Sequence, residues 1–308
     1  MTLARLPLQL SFFFIPLFLM VSFSPRKPDQ QTPDPEGSLK VMTYNIWNGF
    51  DWGKDLERRD KVVAWIRNID PDVLALQELC GYNEEKLKKE ALKWGHPYTV
   101  ILKSDGYPVG LTSKKPITVK ERALEGLWHG MLHCETFGVD FFVVHLSPAD
   151  CDFRLKEANI ITNKIKDSNA NDYIILGDFN AHSPFDGDML KQNKSLLAKY
   201  SKRKPDDKYS NLRLGEFDYS VISTFQGLPA IDICQKFINP ADRYSFPTPA
   251  LIGTYRTAES VGKTRERIDY ILASPEVAKA AVRAQIFNGE VTSLFSDHYP
   301  VMAEFFFK

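Results

Sequence analysis

Along most of the chain, continuous apolar runs alternate with segments whose apolar residues recur at helical spacing. The runs "KVMTYNI" (40–46) and "DVLALQEL" (72–79) have the composition of strands, the second of a buried one. Between them, "LERRDKVVAWIRNI" (56–69) repeats its apolar residues every three or four positions. A second helix is predicted over 83–95, because Asn83 is suited to cap its first turn and a glycine ends it. The pattern indicates an α/β fold.

The remainder of the chain continues this alternation. A helix is predicted around 153–166 and a strand at "YIILG" (173–177), followed by a loop-rich stretch from 183 to 265. Shorter apolar runs predict strands at 98–102, 109–113, 117–121, 127–136, 139–145, "RIDYILA" (267–273) and "HYPVMAEFFF" (298–307). Because the sequence contains no short repeat of fixed period, residues 38–308 are predicted to form one α/β domain with mixed sheet content.

The first 37 residues have a different character. Residues 1–24 place Arg5 ahead of an apolar run from Leu8 to Phe23, the layout of a secretory signal peptide. The run is shorter than the roughly 20 apolar residues of a membrane span, which favours an export signal. No small-residue cleavage site stands near its end, so a retained N-terminal anchor stays open. Residues 25–37 are rich in proline and polar residues and are predicted to form a tether. We expect export to a periplasmic or extracellular location, with or without anchoring.

Composition narrows the functional classes. The 308 residues are 44% hydrophobic and 25% charged, which excludes disorder for most of the chain. The 39 acidic and 39 basic residues balance, so the chain as a whole does not attract nucleic acid or anionic lipid, and polyanion binding would have to be local. If the chain is exported, its four cysteines could pair in three ways, although a domain of this size requires none.

Polar residues stand at the ends of several predicted strands, where valine, isoleucine or leucine would be expected. The stretch "DYIILGDFNAHSP" (172–184) alone is equally consistent with a turn after a buried strand and with a catalytic strand end. Burying one unpaired carboxylate costs several kcal/mol, so a whole set of such positions indicates a site. The set comprises Asn45, Glu78, His145, Asp178, Asn180, Asp269, Asp297 and His298.

The residue types in this set specify a chemistry. Carboxylates and amides without a cysteine suit a hard cation, Mg²⁺ in the first place, with Mn²⁺ or Ca²⁺ as alternatives. Two imidazoles beside such an ion are able to hydrogen-bond phosphoryl oxygens and to move protons near neutral pH. Together they predict metal-assisted hydrolysis of a phosphate ester by water.

The ordered motifs "TYNIWNG", "LALQEL", "VVHLSPAD", "ILGDFNAH", "RIDYIL" and "SDHYPV" resemble the endonuclease/exonuclease/phosphatase superfamily, the DNase I-like fold, over residues 38–308. The resemblance implies a four-layer α/β sandwich, in which two mixed sheets pack face to face with helices outside. It also implies an active site at one edge of the sheets. No obligate protein partner is implied.

The resemblance also implies roles for the strand-end residues. Glu78 would be the principal metal ligand, helped by Asn45 and Asp297. Asp178 and Asn180 would align or deprotonate the attacking water and hold the phosphate. The remaining roles fall to three residues: His298 oriented by Asp269 at the scissile phosphate, with the identity of the base left open, and His145 as general acid.

Some positions depart from the family pattern. Trp47 stands where abasic-site endonucleases carry an acidic residue, and those enzymes use a tyrosine instead of a histidine like His145, which disfavours that branch. No carboxylate is evident to orient His145; Asp105, in "KSDGYPVG", is the candidate, although its context is typical of a turn. His182 is expected outside the reacting centre or facing solvent. The other side chains are expected to be structural or, for the aromatic ones, core or rim residues that could line the cleft: His96, His129, His133, Trp47, Trp52 and Tyr107.

The substrate is the least determined part of the prediction. Two segments, 199–208 and 262–269, are basic but also contain acids, so each is also explained as a solvated loop. The lysines and Arg265 or Arg267 near the last motifs could still meet one phosphate or a headgroup. We therefore predict a secreted phosphodiesterase or phosphatase acting on a phosphate ester of open class. The alternatives are a DNase I-like endonuclease acting on nucleic acid, a sphingomyelinase-like lipid phosphodiesterase and, least favoured, a non-catalytic binding protein with this fold.

Overall fold

In the computed structural model, which describes residues 37–202 and 210–307, two six-stranded sheets are packed against each other. The predicted signal or anchor segment, and the tether up to residue 36, lie outside the described residues. The strands are β1 (Leu39–Asn45), β2 (Val73–Gln77), β3 (Tyr98–Ile101), β4 (Gly110–Ser113), β5 (Thr118–Ala123), β6 (Met131–Thr136), β7 (Val139–His145), β8 (Tyr173–Asp178), β9 (Leu212–Arg213), β10 (Glu216–Phe217), β11 (Ile231–Asp232), β12 (Asp269–Ala273), β13 (Ala281–Ile286) and β14 (Val301–Phe305).

Both sheets are mixed. The first has the order β13-β14-β1-β2-β4-β3 and the second the order β11-β12-β8-β7-β6-β5. Only one pair in each is parallel, β1 with β2 and β7 with β8, and the other pairs are antiparallel. Strands β9 and β10 form a separate two-stranded sheet.

Helices surround the sheets and fill the connections. They are α1 (Trp47–Gly53), α2 (Leu56–Ile69), α3 (Glu84–Ala91), α4 (Cys151–Asp167), α5 (Gly187–Gln192), α6 (Lys194–Ser201), α7 (Ser220–Gln226), α8 (Ile233–Phe237), α9 (Ala258–Lys263) and α10 (Pro275–Ala280). Among the described residues, no helix has both the length and the apolar character needed to cross a membrane.

The two-residue period of the strands divides the apolar residues into separate layers. In β1, Val41 belongs to the core between the sheets, whereas Met42 packs with residues of α2 and α3 on the outer face. In β7, Phe141 likewise faces the inter-sheet core and Phe142 packs with residues of α4 and α7. The succession of helices, sheet, sheet and helices confirms the expected four-layer sandwich.

Two segments differ from the prediction. The stretch 183–265, expected to be rich in loops, contains five short helices, several of them started by a side-chain cap such as that of Asn193 on α6. Their apolar faces are too short to give a helical period in the sequence. The segments of α10 and β13 were not predicted at all. Strand β13 lies at a sheet edge and carries charged Arg283, so it lacks the apolar run of a central strand.

The four cysteines do not pair. Each is free and buried in the described structure: Cys80, Cys134, Cys151 and Cys234.

Candidate active site

Strand register brings the polar strand ends of the second sheet together. His145 at the end of β7 is paired with Asp178 at the end of β8, and Asp178 is paired in turn with Asp269 at the start of β12. In the first sheet, Asn45 ends β1 beside β2, and Glu78 directly follows β2. Separate predictions along the chain therefore converge at one edge of the sandwich.

Gly177 allows β7 and β8 to approach closely just before Asp178. Its φ is +142°, and a Cβ atom there would lie 1.9 Å from the carbonyl oxygen of Val144. A side chain at this position would push the strands apart exactly where their ends present His145 and Asp178, because close-packed backbone has no room to absorb it.

Backbone strain is concentrated around Glu78. The turn α1 is left-handed, with φ between 50° and 60° from Asn48 to Trp52, and Glu78 itself has a φ of 59°. Such conformations cost about 1–3 kcal/mol for a residue other than glycine and occur at functional sites. Here the turn aims the backbone N–H of Asn48 at Glu78, which accepts it at 2.6 Å.

Asp178 is at the centre of the cluster. Its Oδ2 accepts a hydrogen bond from Asn45 Nδ2 at 3.2 Å and lies 3.5 Å from His145 Nε2 and 3.7 Å from His298 Nε2. Its Oδ1 accepts the backbone N–H of Asn180 at 2.9 Å. Burial, together with the nearby Asp269 carboxylate, raises the pKa of Asp178 to about 8.

His298 is held by Asp269, as the resemblance implied for its orientation. Its Nδ1 lies 2.9 Å from Asp269 Oδ2. Burial alone would lower the pKa of His298, but the carboxylates of Asp269, Asp178 and Asp297 outweigh it and raise that pKa well above its usual value. His298 also lines the cavity, and its Nε2 lies near Asp178.

His145 has a different environment. It is buried and stacks on His129, with ring centres 4.1 Å apart, and its Nδ1 has no hydrogen-bond partner among the described residues. Burial and the neighbouring His129 and His298 hold the pKa of His145 well below its usual value. Asp105 is exposed, and no hydrogen bond joins it to His145 in the described structure, so it is a turn aspartate.

His129 lies against a predicted site residue, a contact that was not predicted from the sequence. The two-residue turn between β6 and β7 fixes a register in which Met131 pairs with Val144, and this register carries His129 to the ring of His145. A hairpin register drawn from the sequence could have revealed the contact. His96 and His133, by contrast, contact none of the predicted site residues through the bonds described: His96 lies against Thr112 and the Pro71 carbonyl, and His133 against Asp140 and the Phe142 ring.

Six of the predicted strand-end residues line one cavity of about 650 Å³: Glu78, His145, Asp178, Asn180, Asp297 and His298. Trp47 and Tyr107 line it, whereas Trp52 packs edge-on against Tyr107 and is half exposed. Lys199 and Tyr200 also line it and come from the basic segment 199–208. Three further lining residues were not singled out from the sequence: Trp128, Phe246 and Arg256.

Two predicted positions lie elsewhere. His182 is buried rather than facing solvent, and its Nε2 lies 2.9 Å from Glu266 Oε2. Arg267 is buried and pairs with Asp186 and Asp232, so it is not available to a phosphate.

Comparison with known proteins agrees with this geometry. The model of the endonuclease/exonuclease/phosphatase family matches residues 42–298. The chain belongs to the endonuclease/exonuclease/phosphatase family. No curated protein sequence matches it significantly.

Solved structures share the fold of this family member. One is an AP endonuclease from Archaeoglobus fulgidus, with a TM-score of 0.63 at 18% identity over 87% of this chain and 99% of that one. Another is the 3' phosphatase NExo from Neisseria bound to a product DNA hairpin, with a TM-score of 0.63 at 21% identity over 87% and 100%. The 3'-5' exonuclease NExo from Neisseria meningitidis has a TM-score of 0.61 at 22% identity over 87% and 100%.

Proposed function

We propose that this protein is a divalent-metal-dependent hydrolase that cleaves a phosphate ester with water. The observation that carries the proposal is the convergence of the polar strand ends around one cavity. Six of the eight line it, Asn45 and Asp269 hydrogen-bond to lining residues, and Asp178 contacts an amide and two imidazoles. Family membership supports phosphate-ester chemistry, since the family comprises nucleases and phosphatases. Export through residues 1–24 is part of the proposal.

The residues present fit a hard cation beside Glu78. Glu78 and Asp297 are only partly buried, line the cavity, and make no ion pair with a lysine or arginine among the described residues. Burial and, for Glu78, the Asp297 charge raise the pKa of both carboxyls, as expected of paired acids without a cation. Asn45 donates to Glu78 from Nδ2 at 3.2 Å and adds an amide oxygen. We propose Glu78, Asn45 and Asp297 as the holders of Mg²⁺, or of Mn²⁺ or Ca²⁺.

A second group of ligand atoms, from Asp178, Asp269 and His298, lies within 4.8 Å of one another. We favour the first site for the metal because Nδ1 of His298 in the second group is bound to Asp269, whereas Glu78 and Asp297 line the cavity without a lysine or arginine partner among the described residues. When bound, the cation would neutralise charge that develops on the phosphoryl oxygens.

The side chains then divide the remaining work. Asp178 Oδ2 accepts a proton from the attacking water, which Asn45 and Asn180 help to align. His298, with Nδ1 fixed by Asp269, donates from Nε2 to a phosphoryl oxygen. One amide N–H of Asn180 donates to the Leu146 carbonyl, which leaves the second N–H for the phosphate.

His145 is proposed to protonate the leaving oxygen. Its low pKa in the free protein opposes this role, but a phosphate beside Nε2 brings negative charge that raises the pKa of the imidazole. Substrate binding thus raises the pKa of His145, and the imidazole then holds the proton that it donates to the leaving oxygen.

A metal titration of the full chain tests the proposal. The chain would be assayed on bis(p-nitrophenyl) phosphate with Mg²⁺, Mn²⁺, Ca²⁺ or EDTA, beside Glu78→Gln. We expect EDTA to abolish turnover and Glu78→Gln to lower it by about 10²-fold or more, with a higher metal concentration needed for half-activity. Glu276→Gln, at an exposed helix position outside the cavity, is the matched control. Turnover that survives both EDTA and Glu78→Gln would contradict the proposal.

A nuclease is the second candidate function. The shared fold with NExo bound to a DNA hairpin favours it over a lipid phosphodiesterase. Nicking of plasmid DNA that falls steeply with added salt would identify a nuclease, whereas release of phosphocholine from sphingomyelin would favour the lipid enzyme.

A further inference from the structure

One side of the cavity is formed by the connections after β8 and not by strand ends. We call Lys199, Phe246 and Arg256 the cationic wall. Lys199 Nζ lies 5.6 Å from the centre of the Phe246 ring, and the Arg256 guanidinium carbon lies 4.9 Å from it. The same ring is 4.8 Å from the ring of His298. Two cations therefore stand one aromatic ring away from the proposed phosphate contact.

Buried hydrogen bonds hold the first of these cations in place. Lys199 Nζ lies 3.2 Å from Glu266 Oε1. Glu266 is buried; its other oxygen accepts the hydroxyl of Tyr200 at 2.7 Å and is 2.9 Å from His182 Nε2. The ammonium group is thus fixed at the cavity surface, and little rotamer freedom remains to be lost when it binds an anion.

The second cation has no acid to neutralise it. Arg256 donates to Thr264 Oγ1 at 2.8 Å, and no carboxylate lies within ion-pair distance of it among the described residues. The wall therefore combines two cations with a single carboxylate, that of Glu266. Both cations line the cavity, where partial burial reduces screening by solvent.

Resting on the proposed function, we propose that the cationic wall binds a second phosphate group of the substrate, next to the phosphate that is cleaved. A guanidinium matches two phosphate oxygens with paired N–H donors, and the lysine adds a point charge. Among the described cavity-lining residues, Lys199 and Arg256 are the only lysine and arginine. The two described cations suit one further phosphate on a small molecule.

Matched pairs of small substrates test the proposal on the full chain. One pair is a dinucleoside monophosphate with and without a 5'-phosphate, and the other is glycerophosphoinositol with and without a ring phosphate. For each variant, the kcat/KM on each substrate is divided by its kcat/KM on bis(p-nitrophenyl) phosphate. This ratio corrects for changes in the common hydrolytic activity. For the native chain, the second phosphate is expected to raise the ratio by about 10-fold or more in one pair. The pair that responds identifies the source of the phosphate.

Variants connect this preference to the wall. Arg256→Gln and Lys199→Met are each expected to remove most of the preference. Lys194→Gln, an exposed position on the same helix as Lys199, is expected to keep it. Absence of a preference in both pairs, or its persistence in Arg256→Gln and Lys199→Met, overturns the second-phosphate site alone. A preference for plasmid DNA over the dinucleotides with steep salt dependence also overturns it. Failure to hydrolyse bis(p-nitrophenyl) phosphate or either pair would instead contradict the proposed function.

Discussion

Two buried glutamates support different parts of the cavity lining, and their surroundings differ. Glu157 on α4 accepts only backbone N–H groups at hydrogen-bonding distance, those of Trp128 and Ser147, both at 2.8 Å. Glu266 is bound by the side chains of Lys199, Tyr200 and His182. Burial raises the pKa of Glu157 to about 7. At Glu266 burial acts in the same direction, but Lys199 and His182 outweigh it and lower the pKa to about 2.

The comparison indicates that backbone N–H groups do not offset the effect of burial on the pKa of Glu157, whereas the side chains around Glu266, Lys199 among them, do so for that glutamate. Near the strand ends, Glu157 accepts hydrogen bonds both from the backbone next to His129 and from the backbone just after His145. It therefore positions the stacked imidazoles. On the wall side, Glu266 positions a cation. Glu157 thus fixes the backbone next to the proposed reacting groups, and Glu266 fixes a cation next to the proposed second phosphate.

The largest expected effect is on turnover, from a substitution among the strand-end residues. Asp178→Asn keeps the shape of the side chain but removes the proposed proton acceptor beside His298 and His145. Turnover on bis(p-nitrophenyl) phosphate is expected to fall by about 10³-fold, or roughly 4 kcal/mol of barrier. Asp188→Asn, exposed on α5, is the control. Equal turnover in both variants would remove Asp178 from the proposed mechanism.

The next effect concerns stability and compares two glycines. Gly177→Ala places a Cβ atom against the Val144 carbonyl at a φ that alanine avoids, so the free energy of unfolding is expected to fall by roughly 3 kcal/mol or more. Gly262 on α9, near the wall in sequence, has no atom within 4 Å of such a Cβ. Gly262→Ala is expected to be neutral or stabilising by up to about 1 kcal/mol. Urea denaturation measures both, and similar losses would contradict the difference in packing.

The cluster of polar strand-end residues could be predicted from the sequence to a large extent. Asn45, Asp178 and Asp269 interrupt or end apolar runs, and a buried polar residue in a strand is conspicuous because it costs free energy. Strand register then brings such positions together, so the fold and the cluster could be inferred jointly. The roles given to these residues remain predictions.

The wall could not be predicted in the same way. Lys199 and Arg256 are cations in short helices and loops, where exposed charge is ordinary and carries no penalty. Their meeting at Phe246 depends on how the connections after β8 fold over the sheet, which has no periodic signal in the sequence. Glu157 was missed because one glutamate in an amphipathic helix is also unremarkable, and only the structure shows that it is buried.

The pH dependence of stability separates the two glutamates, beginning with Glu157. Its pKa in the folded chain, about 7, is above its ordinary 4.5, so the folded state binds the proton more tightly. The resulting stabilisation is full below about pH 4.5 and is lost as the pH rises through 7. The stability of the native chain relative to Glu157→Gln is therefore expected to fall by on the order of 2 kcal/mol between pH 5 and 7.5, measured by urea denaturation. A difference that stays flat or rises would contradict the raised pKa.

Glu266 is expected to show the opposite dependence. Its pKa in the folded chain, about 2, is below its ordinary 4.5, so its stabilisation is full above pH 4.5 and is lost as the pH falls toward 2. The stability of the native chain relative to Glu266→Gln should stay constant between pH 5 and 7.5 and decline by on the order of 1 kcal/mol between pH 4.5 and 3.5. The same denaturation series on both variants makes the comparison internal, because titrating groups that contact neither glutamate contribute equally to each difference. If the two differences changed in the same direction over pH 5 to 7.5, the ion pair with Lys199 would not set the charge of Glu266, and the cationic wall would lose the support on which its net positive charge depends.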